Sequence, residues 1–427
     1  MTKLYQAYQS YADFTDPFRA LARATAPFLN FTWPGFPQSL LMRKMAAAAE
    51  VFSQTQVTHK RRPFAIDSVE DMGRTVEVRE EVADQTPFCT LVRFHKMHSA
   101  PQPRVLLVAP MSGHFATLLR DTVRALLQDH DVYVTDWHNA RDVSLENGRF
   151  GFDEYTAHLI RFQETLGPGA HMVAVCQPTV PAIAAVALMA EDNNPAQPST
   201  LTLMAGPIDT RINPTAVNEL AQSKPIAWFE KNLVSAVPGR FEGGGRLVYP
   251  GFLQLTAFMH MNLPRHVDAF RNLYNHLTEG EAGKATVIKT FYEEYFAMCD
   301  MPAEFYLETV QSVFQEHDLP LGTLKVLGRT VDLAAIKKTA LFTVEGEKDD
   351  ICAVGQTLAA QDLCTGVRPS KKVHYVQTGV GHYGVFSGRR WTNEIYPRLR
   401  DFIHMHGQPV KKAEKPKLVL ASVSLVA

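Results

Sequence analysis

The sequence predicts an α/β protein: a doubly wound, mostly parallel sheet with a helical cap inserted into it and a helical extension ahead of it. Three observations carry this reading. Between about residues 100 and 210, short apolar runs alternate with helix-period segments, the pattern of a parallel sheet wrapped by helices. From about 213 to 338 the helix patterns continue without convincing strands, and the strand rhythm resumes at Thr339. Ahead of the sheet, residues 1–70 carry aromatic side chains at spacings of three and four, as amphipathic helices do.

Taken in order, the extension holds Tyr5, Tyr8, Tyr11, Phe14, Phe18, Phe28, Phe31, Trp33 and Phe36. One or two helices are expected there, broken at Pro27 and again near Pro34 and Pro37, because proline removes a helix donor and clashes with the preceding turn. Such a stripe more often packs on the protein's own core than on a greasy partner surface. The alternating runs Thr75–Glu80 and Phe88–Phe94 predict an antiparallel pair at the sheet edge. Val105–Ala109 is continuously apolar, as a strand buried on both faces should be. A breaker-rich loop, Pro110–His114, and a helix over Leu118–Leu127 follow. Asp131–Trp137 is the next strand, Phe152–Leu166 a helix, His171–Val175 a strand, and Leu201–Gly206 another.

The insert, residues 213–338, is rich in aromatics and in Met259 and Met261, and Gly243-Gly244-Gly245 reads as a hinge within it. The sheet closes with Thr339–Val344 and Val373–Val376, followed by a helix from about Trp391 to Met405. The expected segments are therefore 1–70, 71–212, 213–338, 339–408 and a tail, 409–427, that is a linker and then an apolar strand or docking segment.

Composition excludes several functions. The chain has 427 residues with 43 basic and 44 acidic side chains, so no nucleic-acid partner is indicated. No apolar run is long enough to span a membrane, and the first residues lack the pattern of a secretory signal. Five scattered cysteines form neither a disulfide framework nor a metal-ligand spacing. His95, His98, His114, His138, His171, His260, His266 and His374 show no metal-binding spacing either, and each reads as surface or satisfied core. The expectation is a cytoplasmic protein without a metal.

The chemistry centres on Val173-Ala174-Val175-Cys176-Gln177-Pro178-Thr179. A strand, a sharp turn carrying one nucleophile, and an alanine-rich helix make the nucleophile elbow of an α/β-hydrolase. The positive end of the helix favours a thiolate there. Glycine usually flanks the nucleophile two residues away on each side; here Ala174 and Pro178 stand instead. Small alanine allows the crossing, and proline suits a first helical turn. In this fold an acid and a histidine follow on the loops after later strands. Glu345-Gly346-Glu347-Lys348-Asp349-Asp350 and Gly379-Val380-Gly381-His382 occupy those places. Cys176 would attack an acyl carbonyl, His382 would move its proton and later activate water, and Asp349, or else neighbouring Asp350, would hold His382. The backbone N–H groups of Gln177 and of Met111 (or Ser112) would receive the oxyanion. Ser112 itself follows the wrong strand for a nucleophile, and no Gly-x-Ser-x-Gly occurs.

Val175–Pro181, Leu203–Asp209, Glu345–Cys352 and Gly381–Trp391, with the opening Leu4–Gln9, closely resemble the intracellular polyhydroxyalkanoate (poly-3-hydroxybutyrate) depolymerases of bacteria. The resemblance implies a cysteine–aspartate–histidine triad at Cys176, Asp349 and His382. It also implies hydrolysis of amorphous polyester at the surface of storage granules to 3-hydroxybutyrate oligomers and monomers, and it allows a homo-oligomer. No cofactor is implied, although coenzyme A accepts the acyl group in some members. Polyester synthases share the triad, but usually keep both flanking glycines. A granule-coating protein of the same fold without activity is the other alternative.

Overall fold

The computed structural model describes residues 2–31, 39–71, 73–97 and 100–407. Its centre is a nine-stranded sheet. The strands are β1 (Ser68–Asp71), β2 (Arg74–Gln85), β3 (Cys89–Lys96), β4 (Arg104–Val108), β5 (Asp131–Trp137), β6 (His171–Val175), β7 (Thr200–Met204), β8 (Ala340–Gly346) and β9 (Lys372–Gln377). Their spatial order is β1-β2-β3-β5-β4-β6-β7-β8-β9. The first three strands pair antiparallel, and β3 runs antiparallel to β5. Every pairing from β5 through β9 is parallel. The β3–β5–β4–β6 crossover followed by parallel strands, with helices on both faces, is the α/β-hydrolase fold.

The central strands β6, β7 and β8 are buried along their whole length, which explains their continuous apolar runs. Two hydrophobic clusters lie on the two sides of the sheet. One gathers Leu106, Met172 and Leu203 with Leu159 and Phe162 of a helix at Phe152–Leu166. The other gathers Leu107, Val173 and Phe342 with Trp391, Leu399 and Phe402, the last two on a closing helix at Tyr396–His406. The helix after β6, Thr179–Glu191, is buried nearly all round, so its apolar sequence reflects burial between layers rather than one amphipathic face.

Between β7 and β8 the insert forms helices at Ala216–Gln222, Ile226–Leu233, Gly251–Met261, Leu263–Glu279, Ala282–Tyr295 and Ala303–Thr309. The first two of these helices are separated at Pro225. Short strands are also present, contrary to expectation: Ser235–Ala236, Leu247–Tyr249 and Met301–Pro302 pair in one small sheet, and Lys325–Val326 with Arg329–Thr330 in another. Runs of two or three residues are too short to imprint a period on the sequence. The glycine triplet is not a loose hinge. Gly243 donates to the Arg141 carbonyl at 2.8 Å, and a Cβ there would stand 2.7 Å from the Ala140 and Arg141 carbonyl oxygens. Glycine is required for close packing at that point.

The extension is a helical hairpin, α1 (Thr2–Leu29) and α2 (Leu40–Gln54). Pro27 does not break α1, nor does Pro17. Pro27 lies within one turn of the helix end, so its ring removes only the bond to the Arg23 carbonyl. The stripe is also not simply core. Tyr5 is fully buried against Phe252 and its hydroxyl donates to Asp300, but Tyr11, Phe14, Phe18 and Phe28 are exposed. The expected break near Pro34 and Pro37, Trp33, Phe36, His98 and the tail from 409 lie outside the described residues. Among the described residues no helix is long and apolar enough to cross a membrane.

Candidate active site

Cys176 follows the last residue of β6 and holds a left-handed backbone, φ 67°. That conformation costs a non-glycine residue on the order of 1 kcal/mol or more. It is pinned on both sides. The Cys176 N–H donates to the Met204 carbonyl at 2.8 Å. Its own carbonyl accepts from the Thr179 N–H at 3.1 Å and the Thr179 hydroxyl at 2.9 Å. The turn lifts the side chain off the end of β6 and sets it before the Thr179–Glu191 helix. Ala174 is fully buried between β4 and β7, and Pro178 caps the helix at φ −69°. A glycine is still needed nearby, but at an unexpected place. A Cβ on Gly206, just past β7, would come within 2.0 Å of the Thr179 side chain.

Asp349 lies in the turn after β8. Its Oδ1 accepts from the Ile351 N–H at 2.9 Å and the Cys352 N–H at 2.8 Å, and its Oδ2 lies 2.8 Å from Nδ1 of His382. Both residues are buried. The loops that carry them are stitched together: Lys348 N–H donates to the Val380 carbonyl at 2.8 Å, and Gly379 N–H to the Glu347 carboxylate at 2.7 Å. Glu345, fully buried at the end of β8, accepts from the N–H groups of Gly355, Thr357 and Leu358 at 2.8–3.0 Å. That carboxylate fixes the far limb of the acid loop. Asp350, the alternative acid, instead accepts from the Asn262 side chain at 3.2 Å.

The geometry joins Cys176, His382 and Asp349 electrostatically. The Cys352 thiol hydrogen-bonds the Cys176 sulfur; together with His382 and the Gln177 N–H it holds the Cys176 thiol well below its usual pKa, against the cost of burial. Burial alone would lower the pKa of His382, but Cys176 and Asp349 outweigh it and raise it well above the ordinary value. With Nδ1 engaged by Asp349, Nε2 is left for the sulfur. Both shifts run in the direction that favours a thiolate beside an imidazolium. Cys352 keeps its proton, its pKa pushed well up by Cys176 and burial. Sequence reasoning missed Cys352.

Of the predicted oxyanion donors, the Gln177 N–H is among the groups that lower the Cys176 pKa. Met111 is buried in the loop after β4, and the insert clamps that loop through the Cys299 N–H, which donates to the Gly113 carbonyl at 2.6 Å. Beside His382 opens a cavity of about 700 Å³, walled by Phe258, Tyr292, Tyr295, Ile351 and Val380 among others. His382 is in its wall and Cys176 is not. His114, expected at the surface or as satisfied core, is buried, with its ring beside Phe258 and Tyr295 and its Nε2 3.2 Å from the Tyr295 carbonyl.

Residues 205–407 match the family described as PHB de-polymerase C-terminus. Over that segment, just under half of its length, the chain is similar to the PHB depolymerase family. The matched segment runs from the end of β7 through the insert to the closing helix, so it includes Asp349 and His382, while Cys176 lies before it. No curated protein matches the chain. Among solved structures, a 2-hydroxy-6-oxo-6-phenylhexa-2,4-dienoate hydrolase from Rhodococcus sp. strain RHA1 is 13% identical, covering 77% of this chain and 100% of its own, with a TM-score of 0.42. A meta-cleavage product hydrolase from Pseudomonas fluorescens IP01 is 15% identical, covering 79% of this chain and 97% of its own, with a TM-score of 0.41. The fold and the depolymerase-family segment together support a hydrolase.

Proposed function

We propose that this chain hydrolyses amorphous poly-3-hydroxybutyrate of cytoplasmic storage granules to soluble oligomers and monomers through a cysteinyl thioester. The observation that carries the reading is the 2.8 Å contact of His382 Nδ1 with Asp349 Oδ2 beside a cysteine held at φ 67° on a strand-to-helix turn. The Cys176 sulfur attacks an ester carbonyl, and the resulting oxyanion rests on the N–H groups of Gln177 and Met111. As the C–O bond breaks, His382 gives its proton to the departing alkoxide, which leaves as a hydroxyl-ended chain. Water then loses a proton to His382 and attacks the thioester, releasing a carboxylate and restoring the sulfur. The apolar cavity beside His382 suits a methyl-bearing ester. No cofactor enters these steps; coenzyme A in place of water would give an acyl-CoA.

The test is release of soluble 3-hydroxybutyrate from amorphous granules by the full chain and by Cys176→Ala, with and without coenzyme A, read by mass analysis. Loss of release by on the order of a thousandfold or more is expected for the variant. Undiminished release would remove Cys176 from the chemistry. Formation of insoluble polymer from 3-hydroxybutyryl-CoA would favour a synthase instead.

A further inference from the structure

The α1–α2 hairpin turns large apolar side chains to solvent, where a helix on a water-soluble protein ordinarily carries charge. Several of its charged side chains are instead engaged by the protein's own groups. Arg19 is buried, donating to the Phe52 carbonyl at 2.7 Å and the Thr55 hydroxyl at 3.0 Å, and Arg23 reaches the Ser53 carbonyl at 3.3 Å. Asp13 pairs with Arg240 at 2.7 Å, Asp16 with the Gln56 side chain, and Glu50 with Lys289. Facing out along α1 are Tyr11 (60% exposed), Phe14 (69%), Phe18 (54%) and Leu21 (61%); α2 adds Leu41 (67%) and Met45 (49%). The α1 positions recur every three or four residues, so they form one continuous stripe. Phe14 and Phe18 touch, ring centres 5.5 Å apart.

Two features say what such a face meets. With Asp13, Asp16 and Glu50 paired and Arg19 and Arg23 bonded to the protein's own groups, the stripe along α1 is apolar and uncharged, bordered on α2 by exposed Lys44, so its complement is neutral as well as apolar. The face is also tied to the active-site cavity. Lys289, which pairs with Glu50 of α2, sits on the helix Ala282–Tyr295 between Val287 and Phe291, both exposed and both in the cavity wall. The hairpin and the rim of the cavity therefore share one element.

We propose that the outer face of the α1–α2 hairpin is the docking surface for a neutral, water-insoluble polyester, holding the cavity beside His382 against it. This rests on the substrate class proposed above and adds to it the place where the bulk polymer is held.

The test uses the full chain and two multiple variants, Phe14→Ser with Phe18→Ser and Leu21→Ser, and separately Leu41→Ser with Met45→Ser. None of these residues belongs to the active site, and matching circular dichroism spectra exclude misfolding. Binding is read by co-sedimentation with amorphous poly-3-hydroxybutyrate particles and with phosphatidylcholine vesicles, catalysis by cleavage of a soluble 3-hydroxybutyrate trimer, and assembly by sedimentation equilibrium. Each aromatic removed should weaken particle binding on the order of tenfold, with trimer cleavage held within about twofold of the parent because the active site is untouched. Particle binding unchanged in both variants would overturn the docking proposal and leave the proposed chemistry standing. Equal binding of the parent to vesicles, or variants that dissociate a dimer yet still hold the particles, would overturn it as well. A parent that binds particles through this face but cleaves neither trimer nor polymer would support the docking and sink the proposed chemistry.

Discussion

Nδ1 of His382 lies 2.8 Å from Oδ2 of Asp349, while the next carboxylate in the chain, Asp350, turns away to the Asn262 side chain. Neighbouring acids that the sequence could not separate are thus divided by the loop's geometry. Asp349→Asn should lower the rate of ester cleavage on the order of a thousandfold, because the amide no longer favours the charged imidazole. Asp350→Asn should stay within a few-fold of the parent. Rates for the two variants on one soluble ester check this, and equal losses would return the assignment to the open state in which the sequence left it.

Acid should unfold the protein through histidines far from the site. His171, at the start of β6, is fully buried, and burial, then His404, His406 and Arg104, lower its pKa to about 4. His130, also fully buried, is lowered to about 3 by burial and by His404, His171 and Lys96, against a favourable bond to the Leu126 carbonyl. Because the folded pKa lies below the unfolded value, the unfolded chain binds more protons in this range. Stability is therefore held above about pH 6.5 and lost as pH falls from there toward 4 and below. At pH 5 the loss is roughly 2 kcal/mol for each histidine. Urea midpoints at pH 7 and pH 5 read it, and His171→Gln should lose less between them than the parent does; an unchanged difference would refute the argument.

The sheet was legible because burial writes itself into sequence. Asp131–Trp137, His171–Val175 and the Phe152–Leu166 helix fall where the runs and periods place them, since each is set by how many of its faces are covered. The hairpin was half legible. Spacings of three and four reveal a helix, but the steps of three from Tyr5 through Tyr8 and Tyr11 to Phe14 drift round it, so Tyr5 and Phe14 fall on opposite sides, and the spacing does not say which side meets protein. Tyr5 meets Phe252 and Asp300; Phe14 meets solvent. The site was legible to the extent that each candidate sits at a strand end. Cys352 was not, because its importance comes from a turn that folds residue 352 back onto residue 176, and no local pattern encodes that meeting.

Gly206 should be intolerant of even a methyl group. Its ideal Cβ would sit 2.0 Å from the Thr179 hydroxyl oxygen and 2.5 Å from the Thr179 Cβ, so no rotamer of Thr179 relieves the overlap. Thr179 also bonds the Cys176 carbonyl, and any backbone shift that makes room moves the elbow. Gly206→Ala should cost about 1–3 kcal/mol of stability, and the variant's kcat should fall more than its KM rises. A thermal scan and steady-state kinetics measure the two effects; a variant with the parent's Tm and rate would mean the two segments do not approach as described.

The last prediction concerns the thiol that the chemistry does not consume. Cys352 hydrogen-bonds the Cys176 sulfur and is the foremost reason the Cys176 pKa is lowered, ahead of the charge on His382. The same contact and burial push its own pKa well up, the direction that suits a donor to the Cys176 sulfur. Cys352→Ala removes that donor while leaving the 352 N–H, which bonds Asp349, in place. The Cys176 pKa must then rise, because one stabiliser of the thiolate is gone while burial still opposes charge. Alkylation of Cys176 by iodoacetamide, followed by mass spectrometry across pH, reads the thiolate directly. The midpoint should move upward by on the order of one pH unit or more, and the acid limb of the activity profile should move with it. Cys352→Ser, which keeps a hydroxyl donor, should fall between the two. A serine variant indistinguishable from alanine, with both matching the parent, would show that the Cys352 thiol does not act on the nucleophile at all.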